Sequence, residues 1–158
     1  MTVPAGPALR DQFGQDWPWP PLAPVGQHPA THDVGPVPSR CWLFFLPGAF
    51  TPVCTAELSW VDELGAQLSP AGVGLRVVSC DSAAVLRALA DDLSIDTPLL
   101  SDFWPHGAAA QAVGEFNENT GRPHRSSVLV DATGAVLSRI RAEPGSERER
   151  QAHLDAVK

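Results

Sequence analysis

Apolar residues fall in two rhythms along this chain, and the change between them lies near residue 41. From Cys41 the run Trp42-Leu-Phe-Phe-Leu46 is continuously apolar and short, as a central strand buried on both faces requires. Beyond it Leu58, Val61, Leu64 and Leu68 recur every three or four residues, with Glu57, Asp62, Glu63 and Gln67 between them. That spacing predicts an amphipathic helix of about 15 residues. Leu75–Ser79 reads as a second strand, and Asp81 or Ser82 is placed to cap a helix running to Leu93.

The second half continues the alternation. Pro98-Leu-Leu100 is a brief extended piece, and the Ala-rich residues 105–116 suit a helix. Ser127–Asp131 and Ala135–Arg139 flank Ala-Thr-Gly134 as two apolar runs around a glycine turn, the pattern of a β-hairpin. Residues 146–157 are charged and helix-compatible. The order β-α-β-α-(β)-α-β-β-α joins a parallel half to an antiparallel hairpin. It predicts an α/β fold of the thioredoxin-like sandwich kind, a central mixed β-sheet flanked by helices.

Residues 1–40 hold nine of the 16 prolines and read as a Pro-rich N-terminal arm, partly irregular, ahead of a domain spanning 41–158. Within the arm, Trp17 and Trp19 are expected to seek burial, and the stretch 17–38 is longer than an ordinary connection.

Composition narrows the functional classes. A chain of 158 residues suits one well-buried domain. A net charge of -7 with only 11 Lys and Arg argues against nucleic acid as a partner. No apolar run approaches the ~20 residues needed to cross a bilayer, and the N-terminus lacks a signal-peptide pattern, so a cytoplasmic location and no membrane partner are expected. Three cysteines at irregular spacing, with no CxxC, make neither a disulfide framework nor a zinc ribbon. His28 and His32 are spaced four apart, but Pro29 between them argues against a helical metal pair, and no metal is expected.

The remaining chemistry concentrates in Pro47-Gly-Ala-Phe-Thr-Pro-Val-Cys54. In a parallel sheet, chemistry gathers beyond the carboxyl ends of the strands, where loops enter helices, and Cys54 lies at such a point. Thr51 is a good N-cap and Pro52 suits the first helical position, which puts Cys54 in the first turn. Unpaired backbone N–H groups and the positive end of the helix dipole there favour a thiolate over a thiol. A packed core thiol is the competing reading from position alone.

Pro47, Thr51 and Cys54 reproduce a Pro-x-x-x-Thr-x-x-Cys pattern, and the stretch resembles the peroxiredoxins, thiol peroxidases on a thioredoxin-like fold. Pro98–Gly107 followed by Phe116-Asn-Glu118 looks most like the AhpE-type one-cysteine members of actinobacteria. The resemblance covers about residues 41–148, with a fainter echo at Leu9-Arg-Asp-Gln12. It implies that Arg125 completes the active site and that Glu57 orients it. It also implies that Phe50, Phe103 and Trp104 wall the pocket or form a subunit contact in a homodimer.

The chemistry so implied is attack of the Cys54 thiolate on a hydroperoxide, giving a sulfenic acid. Thr51, the backbone N–H groups near Val53 and Cys54, and Arg125 would stabilise the leaving oxygen. For reduction, Cys41 is about five or six strand residues of ~3.3 Å from the active loop, well beyond the ~7 Å between Cα atoms that a disulfide tolerates. Cys80 ends the neighbouring strand and is the possible resolving thiol. With Ser at 59 and no cysteine after 80, the simplest expectation is a one-cysteine mechanism with an external reductant, of mycothiol/mycoredoxin or thioredoxin type, and no cofactor. The rival expectation is a peroxide-sensing or interaction module on the same fold that signals to a protein partner.

Overall fold

Strand β3 (Arg40–Leu46) sits in the middle of the molecule because every side chain from Cys41 to Leu46 is fully buried. It pairs in parallel with β4 (Val73–Ser79) and antiparallel with β8 (Ser126–Asp131). The computed structural model describes residues 7–25, 37–143 and 145–158, so the His28/His32 pair and prolines 4, 29 and 36 lie outside the described residues. With β1 (Leu9–Arg10), β2 (Asp16–Trp17), β5 (Leu99–Ser101) and β9 (Val136–Arg141), the strands form one seven-stranded mixed sheet in the order β2-β1-β5-β4-β3-β8-β9. A separate two-stranded ribbon joins β6 (Phe116–Asn117) and β7 (Arg122–Pro123).

Alternation along β3 divides the core. Trp42, Phe44 and Leu46 point to one face, where they meet Leu58, Leu64, Leu68, Leu86 and Leu89. These come from helices α1 (Pro52–Leu58), α2 (Val61–Leu68) and α3 (Ala83–Leu93). Cys41, Leu43 and Phe45 point to the other face, against Leu9, Trp17, Leu100 and the alanines of α4 (Ala108–Ala112). A last helix, α5 (Arg150–Asp155), returns to the first face through Leu154. This is the thioredoxin-like α/β arrangement expected from the element order.

Three elements differ from the sequence expectation, each for a tertiary reason. The single helix foreseen after the active loop is two, α1 and α2, broken at Ser59 and Trp60. There the Ser59 hydroxyl donates to the Ala56 carbonyl (2.6 Å), and Trp60 turns its ring edge-on to Phe44 at 5.6 Å. The helix expected over 105–116 shrinks to α4, bounded by Gly107 (φ 69) and Gly114 (φ 76). A side chain at 107 would put its Cβ 2.5 Å from the Phe116 ring, so glycine is required. The C-terminal helix begins only at Arg150, because the residues before it fold inward to deliver Arg148 to the core.

The described part of the N-terminal arm is more ordered than an extended surface segment. Asp11 accepts hydrogen bonds from the backbone of Phe13 and Gln15 and from the Trp17 indole, at 2.8–2.9 Å. This closes the β1–β2 hairpin, which joins β5 through Arg10 and Ser101. Trp17 is buried beneath the Arg76 guanidinium, 4.9 Å from its ring centre, and Arg76 in turn binds the carbonyls of Pro21 and Leu22.

Candidate active site

The loop from Pro47 to Thr51 leaves the carboxyl end of β3 and is held from both sides. The Ala49 amide donates to Asp81 Oδ2 (2.9 Å), and the Ser79 hydroxyl donates to the same oxygen. From the β6–β7 ribbon, Arg122 reaches the Pro47 carbonyl at 3.4 Å. Gly48 makes room for it, since a Cβ there would come within 2.6 Å of Arg122 Nη1. Phe50 adopts φ 62 and is half exposed, the left-handed turn that lets the chain enter α1 at Pro52.

Thr51 occupies the N-cap position, but its hydroxyl does not cap the helix as expected. It donates instead to the Gly48 carbonyl at 3.3 Å, which leaves the first turn of α1 without a side-chain cap. Cys54 lies in that turn and is fully buried among Phe44, Leu46 and Leu58.

Arg125 immediately precedes β8, and its guanidinium lies against both Cys54 and Glu57. Burial alone would weaken this cation, but the hydrogen bond and charge of Cys54, joined by those of Glu57, hold its proton more tightly than usual. Glu57 is not on a solvated helix face: it is completely buried beside Cys54. Burial alone would raise its pKa, yet Arg148 and Arg125 outweigh burial and the net shift is downward.

Sequence reasoning missed Arg148, which is buried with its side chain fully enclosed. It binds Glu57 through Nε (2.7 Å), Nη2 (2.7 Å) and its own backbone N–H (2.9 Å), and it donates through Nη1 to the Ser126 carbonyl (2.7 Å). Its guanidinium carbon stacks 3.5 Å from the Phe44 ring centre. Glu57 therefore joins two arginines, one of which faces the sulfur. A signal that Glu57 needs a buried cation, though not which one, was available in the register of α1: Cys54, Glu57 and Leu58 follow i, i+3, i+4 and share the buried face.

The other thiols stand apart. Cys41 points to the opposite face of the sheet, and burial pushes its pKa up to about 12. Cys80 follows β4 beside the active loop, and burial together with Asp102 and Asp81 pushes it up to about 12 against the smaller pull of Arg122. Phe103 and Trp104 are exposed and line a groove of about 660 Å³ with Leu9, Trp17 and Ala83, between the arm and α3. No group of three or more potential metal ligands occurs among the described residues, and none of their helices is long and apolar enough to cross a membrane.

Two further buried groups make a pH prediction. Burial raises Asp102 to about 6 despite the amides of Ala109 and Ala110 that it accepts from. Burial and Arg148 lower His153 to about 4. Between pH 3.8 and 6 the folded state holds the Asp102 proton more tightly, so this contribution to stability falls as pH rises. Between pH 4 and 6.5 the unfolded state takes up a His153 proton that the folded state refuses, so this contribution rises. Each amounts to about 3 kcal/mol, and the two oppose. Asp102→Asn is therefore expected to steepen the loss of stability on acidification from pH 6.5 to 4.5, measured by urea unfolding. A wild-type slope equally steep would contradict the opposition.

A thioredoxin-like sheet carrying a buried cysteine in the first turn of a helix, with an arginine against its sulfur, has the architecture of a thiol-based peroxide reductase. Comparison with known proteins agrees: residues 31–139 match the AhpC/TSA family. The chain is 33% identical over 115 residues to alkyl hydroperoxide reductase E of Mycobacterium tuberculosis, covering 73% of this chain and 75% of the relative. Among solved structures it resembles the peroxidoxin BcpB of Mycobacterium tuberculosis (TM-score 0.71, 27% identity, 95% of this chain and 88% of that one). It also resembles AhpC of Enterococcus faecalis (TM-score 0.68, 29% identity, 75% and 72%). The chain belongs to the AhpC/TSA family: it is a peroxiredoxin of the AhpE-like kind, a thiol peroxidase acting on peroxide.

Proposed function

We propose that the enzyme reduces hydrogen peroxide and organic hydroperoxides by a one-cysteine mechanism in which Cys54 is the attacking sulfur. The observation that carries this is the Arg125 guanidinium, held against Cys54 by a carboxylate that Arg148 fixes from behind. The thiolate attacks the terminal oxygen of ROOH; the S–O bond forms as the O–O bond breaks, and the leaving alkoxide takes a proton to depart as ROH. Arg125 and the backbone N–H groups of the first turn face the developing negative charge, with Thr51 and Pro47 shaping the loop around the peroxide. Glu57 is the positioning residue that keeps Arg125 aimed.

Resolution by an external thiol is favoured by the state of the other two cysteines. A resolving sulfur attacks as its thiolate, and with values near 12 both Cys41 and Cys80 are almost wholly protonated at neutral pH. One external thiol would condense with the sulfenic acid, releasing water, and a second would free Cys54 as the external disulfide forms. A reductant of mycothiol/mycoredoxin or thioredoxin type fits these two steps. Because Cys54 is fully buried, the reductant reaches it only after the first turn of the seven-residue α1 opens, and the lack of a side-chain cap lowers the cost of that opening.

The three free cysteines suit a reducing compartment, and a cytoplasmic site of action, testable by cell fractionation, is part of this reading. A homodimer joined through the exposed Phe50, Phe103 and Trp104 is a further part. Trp104→Glu should then sediment as a monomer where the unaltered chain sediments as a dimer; two identical profiles would remove this contact from the account.

The role of Arg125 is tested by Arg125→Met. Loss of one charged donor at the reacting oxygen is expected to slow Cys54 oxidation about 100-fold or more in stopped-flow fluorescence. Unchanged kinetics would sink the assignment.

A further inference from the structure

His153 lies three helical residues into α5, fully buried, and nothing in the peroxide chemistry touches it. Its imidazole nevertheless has a partner at each nitrogen. Nδ1 faces two carbonyls, those of Glu149 (3.0 Å) and Arg150 (3.2 Å). Both are acceptors, so Nδ1 carries the proton and Nε2 is the acceptor. Nε2 lies 2.8 Å from the Ser127 hydroxyl, which donates to it.

The two ends of this ring grip the two segments that carry the active-site arginines. Glu149 and Arg150 form the turn directly after Arg148, whose backbone N–H and side chain hold Glu57. Ser127 is the second residue of β8, two places after Arg125, and its neighbour Ser126 supplies the carbonyl that receives Arg148 Nη1. A second path runs through the rings. His153 stands 4.9 Å from Trp42 and 5.7 Å from Phe44, and Phe44 is the ring on which the Arg148 guanidinium stacks.

We infer that His153 is a positioning residue for the peroxidase site. As a neutral ring it clamps the Arg148 turn onto the start of β8, and so sets the separation at which Arg148 and Arg125 meet on Glu57. Without the clamp, Glu57 still pairs with Arg148 and Arg148 still reaches the Ser126 carbonyl, but fewer bonds hold the Arg148 turn to β8, and Arg125 is aimed less firmly at Cys54. The inference rests on the proposed roles of Cys54 and Arg125.

Two variants separate positioning from packing. His153→Phe keeps an aromatic ring against Trp42 and Phe44 but removes both hydrogen-bonding nitrogens. Ser127→Ala removes only the hydroxyl and leaves the core otherwise intact, so it serves even if the first variant fails to fold. Each is expected to slow Cys54 oxidation by peroxide about fivefold and to raise the pH of half-maximal rate by about half a unit, beyond any change in melting temperature. Arg125→Met is run beside them. If it slows while Ser127→Ala, and His153→Phe where folded, keep the wild-type rate and pH midpoint, His153 is merely a core residue and the inference is overturned. If Arg125→Met itself reacts at the wild-type rate, the assignment of Arg125 fails, and the inference falls with it.

Discussion

Cys54→Ser protein is expected to consume peroxide no faster than buffer with any thiol reductant, while remaining folded. The serine hydroxyl lacks the nucleophilicity of a thiolate, and no other thiol is placed to substitute: Cys41 lies on the opposite face of the sheet, and Cys80 is held protonated by burial and by Asp102 and Asp81. The fold should tolerate the change at a cost of about 1–3 kcal/mol, the usual penalty for enclosing a hydroxyl in an apolar setting. Coupled turnover and chemical denaturation measured on the same preparation check both halves. Residual turnover above background would mean that a second cysteine carries the reaction.

Glu57→Ala is expected to have the largest effect on stability, because the carboxylate is the counter-charge of a fully enclosed arginine. Arg148 has Glu57 on three of its donors, and deleting the acceptor leaves a buried cation with the Ser126 carbonyl, a long 3.5 Å contact to the Ser127 hydroxyl and the Phe44 face, none of them charged. Removing one member of a buried pair typically costs about 3–5 kcal/mol. Glu57→Gln, which keeps an oxygen acceptor, should lose less. The pH dependence has a definite sign. The Glu57 pKa is depressed in the folded state, so its contribution is complete above its ordinary value of 4.5 and is lost as pH falls through the lower folded value. Urea unfolding of both variants at pH 7 tests the claim; equal stabilities for Glu57→Ala and wild type would contradict it. Peroxide oxidation of Cys54 should slow in Glu57→Ala, since Arg125 there loses the oxygen that aims it.

These two residues also mark how far the sequence could be read. The place of Cys54 in the first turn of α1 was legible because its determinants are local: a buried apolar strand, a proline-bearing loop and a helix start lie within a few residues of one another. The strand–helix order was legible for the same reason, as periodicity is a short-range property. The partners of Glu57 were not. Arg148 lies in Glu147-Arg-Glu-Arg150, a charge run that reads as a solvated face, and only the fold carries it 91 residues back to the carboxylate. His153 is hidden in the same way, an ordinary polar residue until tertiary contacts enclose it, and Asp81, read as a candidate helix cap, instead holds the Ala49 amide of the active loop. The break between α1 and α2 likewise comes from Trp60 packing on Phe44 and lying near His153, a contact that helical periodicity does not encode. That Arg125 comes close to Cys54 was expected only through family resemblance, and the structure shows what holds it there, the carboxylate of Glu57.

The central claim is that Cys54 alone takes the peroxide oxygen and waits for an external thiol. It is tested most directly by adding one equivalent of hydrogen peroxide to the fully reduced protein and measuring its intact mass with and without dimedone, followed by peptide mapping. The account predicts a gain of one oxygen, converted by dimedone to a single adduct at Cys54. A loss of two hydrogens with no adduct, mapped to a Cys54–Cys80 disulfide, would contradict it.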